Sequence, residues 1–507
     1  MLYRSVHKDN PRFFCNNQQM PKSFSLSKSK ILLHRQCPKR LWLKLHKPEL
    51  AEDDPAAEAR FRDGNQVGEV ARQLYPGGDF IDTLNRKEAL TRTAMAIKTG
   101  NKPIFEAAFL HNDVLIRADL LVPEESGYRL VEVKSSTSVK DYHLEDIAVQ
   151  TWVMQQAGLE PSRCMIAHID NSFVYPGGGH YQGLLKEEPV DLEIRDMIGE
   201  VPSWIDAAQK TLEQGEAPDI PTGEQCSEPF ACDFTKYCSP PETDVEFPVE
   251  ILPYGKKMAE QLRAEGYRDL RDVPEEKLTN PKHIRVHRVT KSGQAELDQE
   301  AIDALRELPY PRYYLDFETI AFAVPIWTGT SPYKQIPFQW SCHVEQSDGT
   351  LKHHEFLDTT GNDPRRDFAE SLIKTLGSDG PIIVYNAPFE GSRMKELAEA
   401  FPDLMSVLLA AVDRLFDLLP LARNYYYHPA MKGSWSIKNV LPTIAPELDY
   451  SNLAVAHGGM AQDAYLDLIG NELSGAEKTE LRKALLAYCE QDTLAMVKIG
   501  QKFRSRV

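Results

Sequence analysis

The chain has 507 residues, 42% of them hydrophobic and 26% charged, with a formal net charge of −17. That length exceeds what one hydrophobic core organises, so two or three domains are expected, and no apolar run, even that around Met405–Val412, is long enough to cross a bilayer. The acidic balance argues against a protein that coats nucleic acid without specificity, although metal sites themselves consume carboxylates.

Residues 1–20 are polar, carry Arg4, Lys8 and Arg12 and lack an apolar signal core, which reads as a loose extension of a cytoplasmic protein. Eight cysteines in such a chain point to metal ligation rather than disulfides. A helical pattern follows (Ile31, Leu32, Leu33, Trp42, Leu43, Leu45). It is studded with Lys28, Lys30, His34, Arg35, Lys39, Arg40, Lys44 and Lys47, either a solvated helix face or a local phosphate track. Strands are predicted at Ile104–Leu110, Val114–Leu121 and Tyr128–Val133, then a helix with Leu144, Ile147, Ala148, Trp152 and Val153 at 3–4 spacing.

Within these strands, Asp119 precedes Glu132-Val133-Lys134. Period-two alternation puts Glu132 and Lys134 on one face, where Asp119 of the neighbouring strand can join them. Two carboxylates can hold Mg²⁺ or Mn²⁺, and an ammonium can orient an attacking water. The stretch resembles the PD-(D/E)XK nucleases of the RecB-like branch, supported by Glu106 in Phe105-Glu106-Ala107-Ala108-Phe109 and by Gln150 in the following helix. The resemblance implies that Asp119 and Glu132 bind metal, that Lys134 is catalytic and that Gln150 and Glu106 support the site or contact nucleic acid. Two departures stand out. Met154 occupies the place of that branch's Tyr, and Gly68 the place of its frequent His ligand, with Glu69 beside it as a substitute.

Cys226, Cys232 and Cys238 close this region and Cys37 opens it. Four thiolates can hold tetrahedral zinc or a 4Fe–4S cluster; five-residue gaps are wide for a zinc knuckle. One early and three late cysteines resemble the iron–sulfur RecB-type nucleases, including CRISPR-associated exonucleases and AddB helicase–nuclease subunits. That resemblance implies a cluster fastening the two ends of the domain, with zinc the less favoured occupant.

Composition breaks at Ser239-Pro240-Pro241-Glu242-Thr243-Asp244 and again at Leu308-Pro309-Tyr310-Pro311. Residues 21–240 and 309–507 are therefore read as α/β domains joined by a connector at 241–308. Short helices from Leu262 to Leu278, joined at Gly266-Tyr267, give that connector some similarity to a helix–hairpin–helix. The last region is predicted to open on a strand at Tyr313–Phe317, to place another at Pro381–Tyr385 and to end on a helix around Leu481–Lys502.

Asp316 and Glu318 share a face of the first of these strands, Glu390 follows the second, and Tyr488 and Asp492 sit i, i+4 on the final helix. Four carboxylates in an apolar pocket repel unless cations neutralise them, which is the logic of a two-metal phosphodiester site. Order and spacing resemble the DEDD exonucleases of the RNase H-like fold, in the subclass with Tyr before the last Asp; the segment Ser436–Leu441 is also similar. The resemblance implies that Asp316, Glu318, Glu390 and Asp492 bind metal and that Tyr488 positions the water. Glu390 stands where the family has Asp. The pairing of both halves is similar to a family of bacterial proteins labelled as a domain of unknown function. The expected activity is metal-dependent hydrolysis of DNA, 3′ to 5′ on single-stranded ends. An RNA exonuclease, or a nucleic-acid-binding scaffold with one degenerate site, are the alternatives.

Overall fold

A computed structural model describes residues 25–52, 55–239, 245–448, 450 and 453–505. The expected extension at 1–20 and the start of the expected connector at 241–244 lie outside these residues. Two helices, α1 (Lys28–Gln36) and α2 (Pro38–His46), stand where one helical pattern was read. Pro38 disfavours a helical residue before it, and Cys37 accordingly adopts an extended φ of −160° between the two.

The N-terminal half is built on a seven-stranded sheet of β1 (Leu26–Ser27), β2 (Asp79–Phe80), β3 (Ile104–His111), β4 (Val114–Glu124), β5 (Gly127–Lys134), β6 (Pro161–Ile169) and β7 (Leu185–Pro189). It runs in order β2-β3-β4-β5-β6-β7, with β1 on β4. Helices α3 (Pro55–Leu74) and α4 (Arg86–Thr99) precede the antiparallel β3-β4-β5 meander. Helix α5 (Asp141–Gln156) then crosses from β5 to the parallel β6, and α6 (Asp191–Leu212) packs on α5. The crossover helix buries Ile147, Ala148, Val149, Val153 and Met154 against the sheet, so the chain places β5 beside β6 by burying one helix between them.

The remaining elements are α7 (Thr235–Cys238), α8 (Lys256–Ala264), α9 (Pro281–Ser292), β8 (Glu296–Leu297), α10 (Gln299–Arg306), β9 (Arg312–Ile320), β10 (Ile336–Glu345), β11 (Leu351–Leu357), α11 (Arg365–Leu376), β12 (Ile382–Val384), α12 (Ala387–Ala400), α13 (Met405–Val412), β13 (Leu415–Asp417), α14 (Leu418–Tyr425), β14 (Tyr426–Tyr427), α15 (Ile437–Val440), α16 (Gly458–Ile469) and α17 (Gly475–Arg504). The second sheet has the order β11-β10-β9-β12-β13, antiparallel on the β11 side and parallel on the β13 side. Helix α17 lies across β9 and β10. The expected connector is not set apart. Leu262, Val286 and Leu305 share one core with Tyr314, Ile383, Met496 and Phe503 of the C-terminal half.

The two halves touch through the segment between β9 and β10. Ala323 and Val324 pack on Val67, Val70, Ile169 and Leu184. Tyr175 N–H donates to the Thr330 carbonyl at 2.9 Å and Gly329 N–H to the Tyr175 carbonyl at 2.8 Å. Tyr333 Oη donates to the Ser135 carbonyl, one residue beyond Lys134, and Arg62 of α3 pairs with Asp463 of α16 at 2.7 Å.

Gly433 fixes the approach to α15. Its φ is +77°, and a Cβ there would overlap the Ile251 carbonyl oxygen. Gly433→Ala should therefore lower stability by about 2–4 kcal/mol, because both the left-handed backbone and the close approach are lost. Urea unfolding measures this, and a midpoint equal to wild type would show that this turn does not hold the segment.

Candidate functional site

In the N-terminal half, the antiparallel ladder carries Asp119 on β4 beside Glu132 and Lys134 on β5. Lys134 Nζ lies 2.7 Å from Glu132 Oε1 and 2.5 Å from Asp146 Oδ2. Gln150 Nε2 donates to Glu132 Oε2 at 2.6 Å and to Asp146 Oδ1 at 3.0 Å. Asp119 Oδ2 accepts from Val133 N–H at 2.8 Å. The expected residues Asp119, Glu132, Lys134 and Gln150 are thus brought together. Glu106 lines the same cleft of about 1220 Å³, as do Gly68 and Glu69. Glu106 sits at φ 56°, a left-handed position where the β3–β4 ladder omits its pairing opposite Asp119.

Two partners were not read from the sequence. Asp146 is one helical turn before Gln150, a spacing that could have exposed it. Lys28, noted only within the basic run, places its Nζ 2.7 Å from Glu132 Oε1 and 3.3 Å from Asp146 Oδ1. Other members of that run are likewise engaged: Arg35 with Glu145, and Arg40 and Lys44 with Asp233. Arg35 and Lys44 remain exposed while paired, as a solvated face would have them, whereas Lys28 and Arg40 turn inward onto acids.

Glu132 is 1% exposed, and burial with Asp119 and Asp146 nearby pushes its carboxyl up to about 7, against the pull of Lys134 and Lys28. Asp146 is also buried, but Lys134 and Lys28 hold it well below the usual carboxylate range. Burial raises Asp119, opposed by the same two lysines. The site is an acid–lysine lattice in which two lysines offset part of the charge of three carboxyls.

Cys37, Cys226, Cys232 and Cys238 all line one small pocket between α2 and α7. Arg40 and Lys44 on Asp233, Gln36 on the Gln225 and Phe230 carbonyls, and Trp42 Nε1 on the Gln214 carbonyl tie the early and late segments together. Burial raises the Cys232 thiol, opposed by a hydrogen bond from the Phe234 backbone and by Arg40. Burial raises Cys238 too, opposed by Lys39.

In the C-terminal half, Asp316 and Glu318 project from the same face of β9, and α17 brings up Tyr488, Cys489 and Asp492. One ligand atom from each of Asp316, Glu318 and Cys489 lies within 4.8 Å of the others. Cys489 Sγ is 3.8 Å from Asp316 Oδ2. Tyr450 Oη donates to Asp492 Oδ1 at 2.6 Å. Glu390 stands on the first turn of α12, outside that close trio, and is 2% exposed with Oε2 lacking a partner. Asp417 accepts from Asn386 and Ala387 N–H at 3.1 and 2.9 Å, which fixes where α12, and hence Glu390, begins.

Among the described residues Lys438 is a cation whose charge acts on Glu318 and Asp492, but its Nζ donates to the Ala456 carbonyl at 2.6 Å and lies 5.2 Å from the ring centres of Tyr450 and Tyr488. Burial, then Asp492, raise Glu318 to about 8, with Lys438 opposing. Burial and Asp417 raise Glu390 to about 8. Burial raises Asp492 to about 6, while Tyr450, Lys438 and Tyr488 pull it down. Burial, Asp492, Glu318 and Glu390 together drive Asp316 well up. Cys489, Tyr450 and Lys438 were not assigned from the sequence. Cys489 and Lys438 lay inside recognised motifs, whereas Tyr450 had no signal beyond being aromatic.

Residues 313–436 match DUF2779, a domain of unknown function. The DUF2779 segment carries Asp316, Glu318 and Glu390 and stops before Lys438, Tyr488 and Asp492. The chain is similar to the uncharacterized protein UU173 of Ureaplasma parvum, at 27% identity over 41% of this chain and 33% of that one. It is also similar to the uncharacterized protein MG366 of Mycoplasma genitalium, at 30% identity over 38% of this chain and 32% of that one. The aligned stretch spans about a third of these relatives' length.

A carboxyl whose folded pKa is raised contributes stability fully below its unfolded value, and that contribution is lost as pH rises through the folded value. Protein stripped of metal by a chelator should therefore lose thermal stability progressively as pH rises from the ordinary value of 4.5 to about 8, by which Glu318 and Glu390 have ionised. Adding Mn²⁺ above that pH should restore the loss. Differential scanning fluorimetry across pH, with and without Mn²⁺, reads this. A melting temperature indifferent to both would show that these acids are not crowded.

Proposed function

We propose that this chain is a metal-dependent nuclease whose C-terminal half hydrolyses DNA from single-stranded 3′ ends. The observation that carries this reading is the set of the half-buried Asp316 with the buried Glu318, Glu390 and Asp492, where the lysine acting on them is held off by two tyrosine rings and a carbonyl. Such a set fits Mg²⁺ or Mn²⁺, hard ions that take carboxylate oxygens. Asp316, Glu318, Glu390 and Asp492 would hold the ions, which supply activation of water and stabilisation of the leaving oxygen. Tyr488, one turn before Asp492, is placed to orient the water. The sheet order β11-β10-β9-β12-β13 with its antiparallel β10 supports an RNase H-like reading of this half. The α–β–β–β–α–β succession from α4 to β6 supports a RecB-like PD-(D/E)XK reading of the other.

The N-terminal acids fit a divalent ion less well. Both Glu132 oxygens are taken, Oε1 by Lys28 and Lys134 and Oε2 by Gln150. Metal ligation by Asp119 and Glu132 needs Lys28 to withdraw, so the proposal assigns hydrolysis to the C-terminal site.

The four cysteines fit a 4Fe–4S cluster that clasps the ends of the N-terminal half. Tetrahedral zinc, with Zn–S bonds near 2.3 Å, requires sulfurs about 3.8 Å apart. The trio of ligand atoms within 4.8 Å among the described residues is Asp316, Glu318 and Cys489, not a cysteine set. A cubane, whose cysteines bind separate irons, accepts wider spacing. The chain purified without oxygen should be brown and contain iron and sulfide, and Cys226→Ser should bleach it. Zinc without iron in such protein would overturn the cluster.

End-labelled single-stranded DNA, and RNA of matching sequence, test the activity with Mg²⁺ or Mn²⁺. Asp316→Asn and Glu390→Gln should each lower 3′-end degradation at least about a hundredfold, whereas Asp119→Asn should leave most of it. Cleavage of RNA alone would reassign the substrate. Absence of cleavage by the wild type at any metal concentration would sink the nuclease reading.

A further inference from the structure

We propose that the C-terminal site holds one ion through a thiolate as well as carboxylates, with Cys489 joining Asp316 and Glu318 as its third protein ligand. The site thereby takes a borderline d-block cation such as Zn²⁺ or Co²⁺ more tightly than Mg²⁺. This deepens the nuclease reading by naming the class of ion at that site, and it rests on that reading only for the ion's use.

The geometry points there on two independent grounds. First, Asp316, Glu318 and Cys489 present one ligand atom each within a mutual 4.8 Å, a span that small side-chain adjustments around one ion can close. Cys489 is fully buried on the face of α17 that meets β9, with Sγ 3.8 Å from Asp316 Oδ2 and 3.9 Å from the Asp316 carbonyl oxygen. Second, Glu318 is 8% exposed, and among the described residues no hydrogen bond or ion pair reaches its carboxylate. A carboxylate this enclosed and without a protein partner is stabilised by a cation that meets it, and this one faces the thiol and Asp316.

The donor set then decides the ion. Mg²⁺ wants six oxygens and keeps its waters, so a sulfur ligand gains it little. Thiolate donors favour Zn²⁺ and Co²⁺ over Mg²⁺, and the Irving–Williams order places both above Mn²⁺. Binding forms one metal–sulfur bond and releases the thiol proton to solvent, with no change of oxidation state. Glu390, on α12, is left to complete the shell or to hold a second, harder ion.

Purified protein is titrated with Co²⁺ alone, without nucleic acid, so the readout does not depend on nuclease activity. The wild type should develop a thiolate-to-cobalt charge-transfer band, and subtraction of the C489S spectrum should isolate it from any signal of Cys37, Cys226, Cys232 and Cys238. Zn²⁺ affinity measured by competition should fall about tenfold or more in C489S, while Mg²⁺ affinity moves far less. Should C489S not fold, cadmium NMR of the wild type serves instead. A resonance of a one-sulfur, oxygen-rich site separate from any tetrathiolate signal supports the assignment. Superimposable cobalt spectra of wild type and folded C489S, or a cadmium spectrum without such a resonance, overturn it. A sulfur–cobalt band in a protein that cleaves no nucleic acid would instead leave this site standing and remove the nuclease reading.

Discussion

Burying an ionised carboxylate costs several kcal/mol unless an opposite charge and hydrogen bonds meet it inside the protein. This chain buries acids at the centres of both of its large sheets and treats them in opposite ways. Around Glu132, two lysines and a glutamine occupy every oxygen, and Asp146 stays ionised because those lysines are in contact. Glu132 and Asp119 are raised even so; around Asp316 the acids face one another and a thiol, with no ion pair to a lysine among the described residues, and their carboxyls are driven up as well. The first arrangement is self-contained. The second leaves its acids to protons or cations at neutral pH, and it is there that the proposed ion would bind.

The strand order makes both arrangements possible. In each half an antiparallel meander meets a parallel neighbour across a helical crossover, which leaves acidic side chains on the central strands with a helix brought over them. Helix α5 delivers Asp146 and Gln150 to Glu132, and α17 delivers Cys489 and Asp492 to Asp316. The segment between β9 and β10 then runs from the end of the strand bearing Asp316 to the Ser135 carbonyl beside Lys134. Displacement of that segment would therefore be felt at the edges of both sites.

Much of this was legible in the residues because the signals were local. Period-two alternation located Glu132 with Lys134 and Asp316 with Glu318, and i, i+4 spacing located Tyr488 with Asp492. The four cysteines declared themselves by clustering. Lys28 was not legible as a site residue, since nothing in a basic run says which lysine turns inward; the pairing with Glu132 spans 104 positions and exists only after α1 docks on the sheet. Tyr450 was hidden for the same reason. The packing of the 241–308 segment was not legible, because the apolar faces of its short helices, here Leu262, Val286 and Leu305, find their partners only in residues after 309. One helix became two because Pro38 acts on the residue before it, an effect the apolar pattern alone does not carry.

The contrast between Lys28 and Lys438 carries the argument one step further. Both are lysines whose charge acts on buried acids, but Lys28 touches Glu132 directly while Lys438 donates to the Ala456 carbonyl. At 5.2 Å from the rings of Tyr450 and Tyr488, it is also held by aromatic faces that favour a cation. Its field lowers Glu318 and Asp492 but leaves them above their ordinary values, so it tempers the repulsion without ending it. A lysine in contact would have closed the site, as Lys28 does in the other half. A lysine anchored away from the acids leaves their oxygens free for the ion proposed there, and the two tyrosines that hold it are the ones whose hydroxyls serve Asp492.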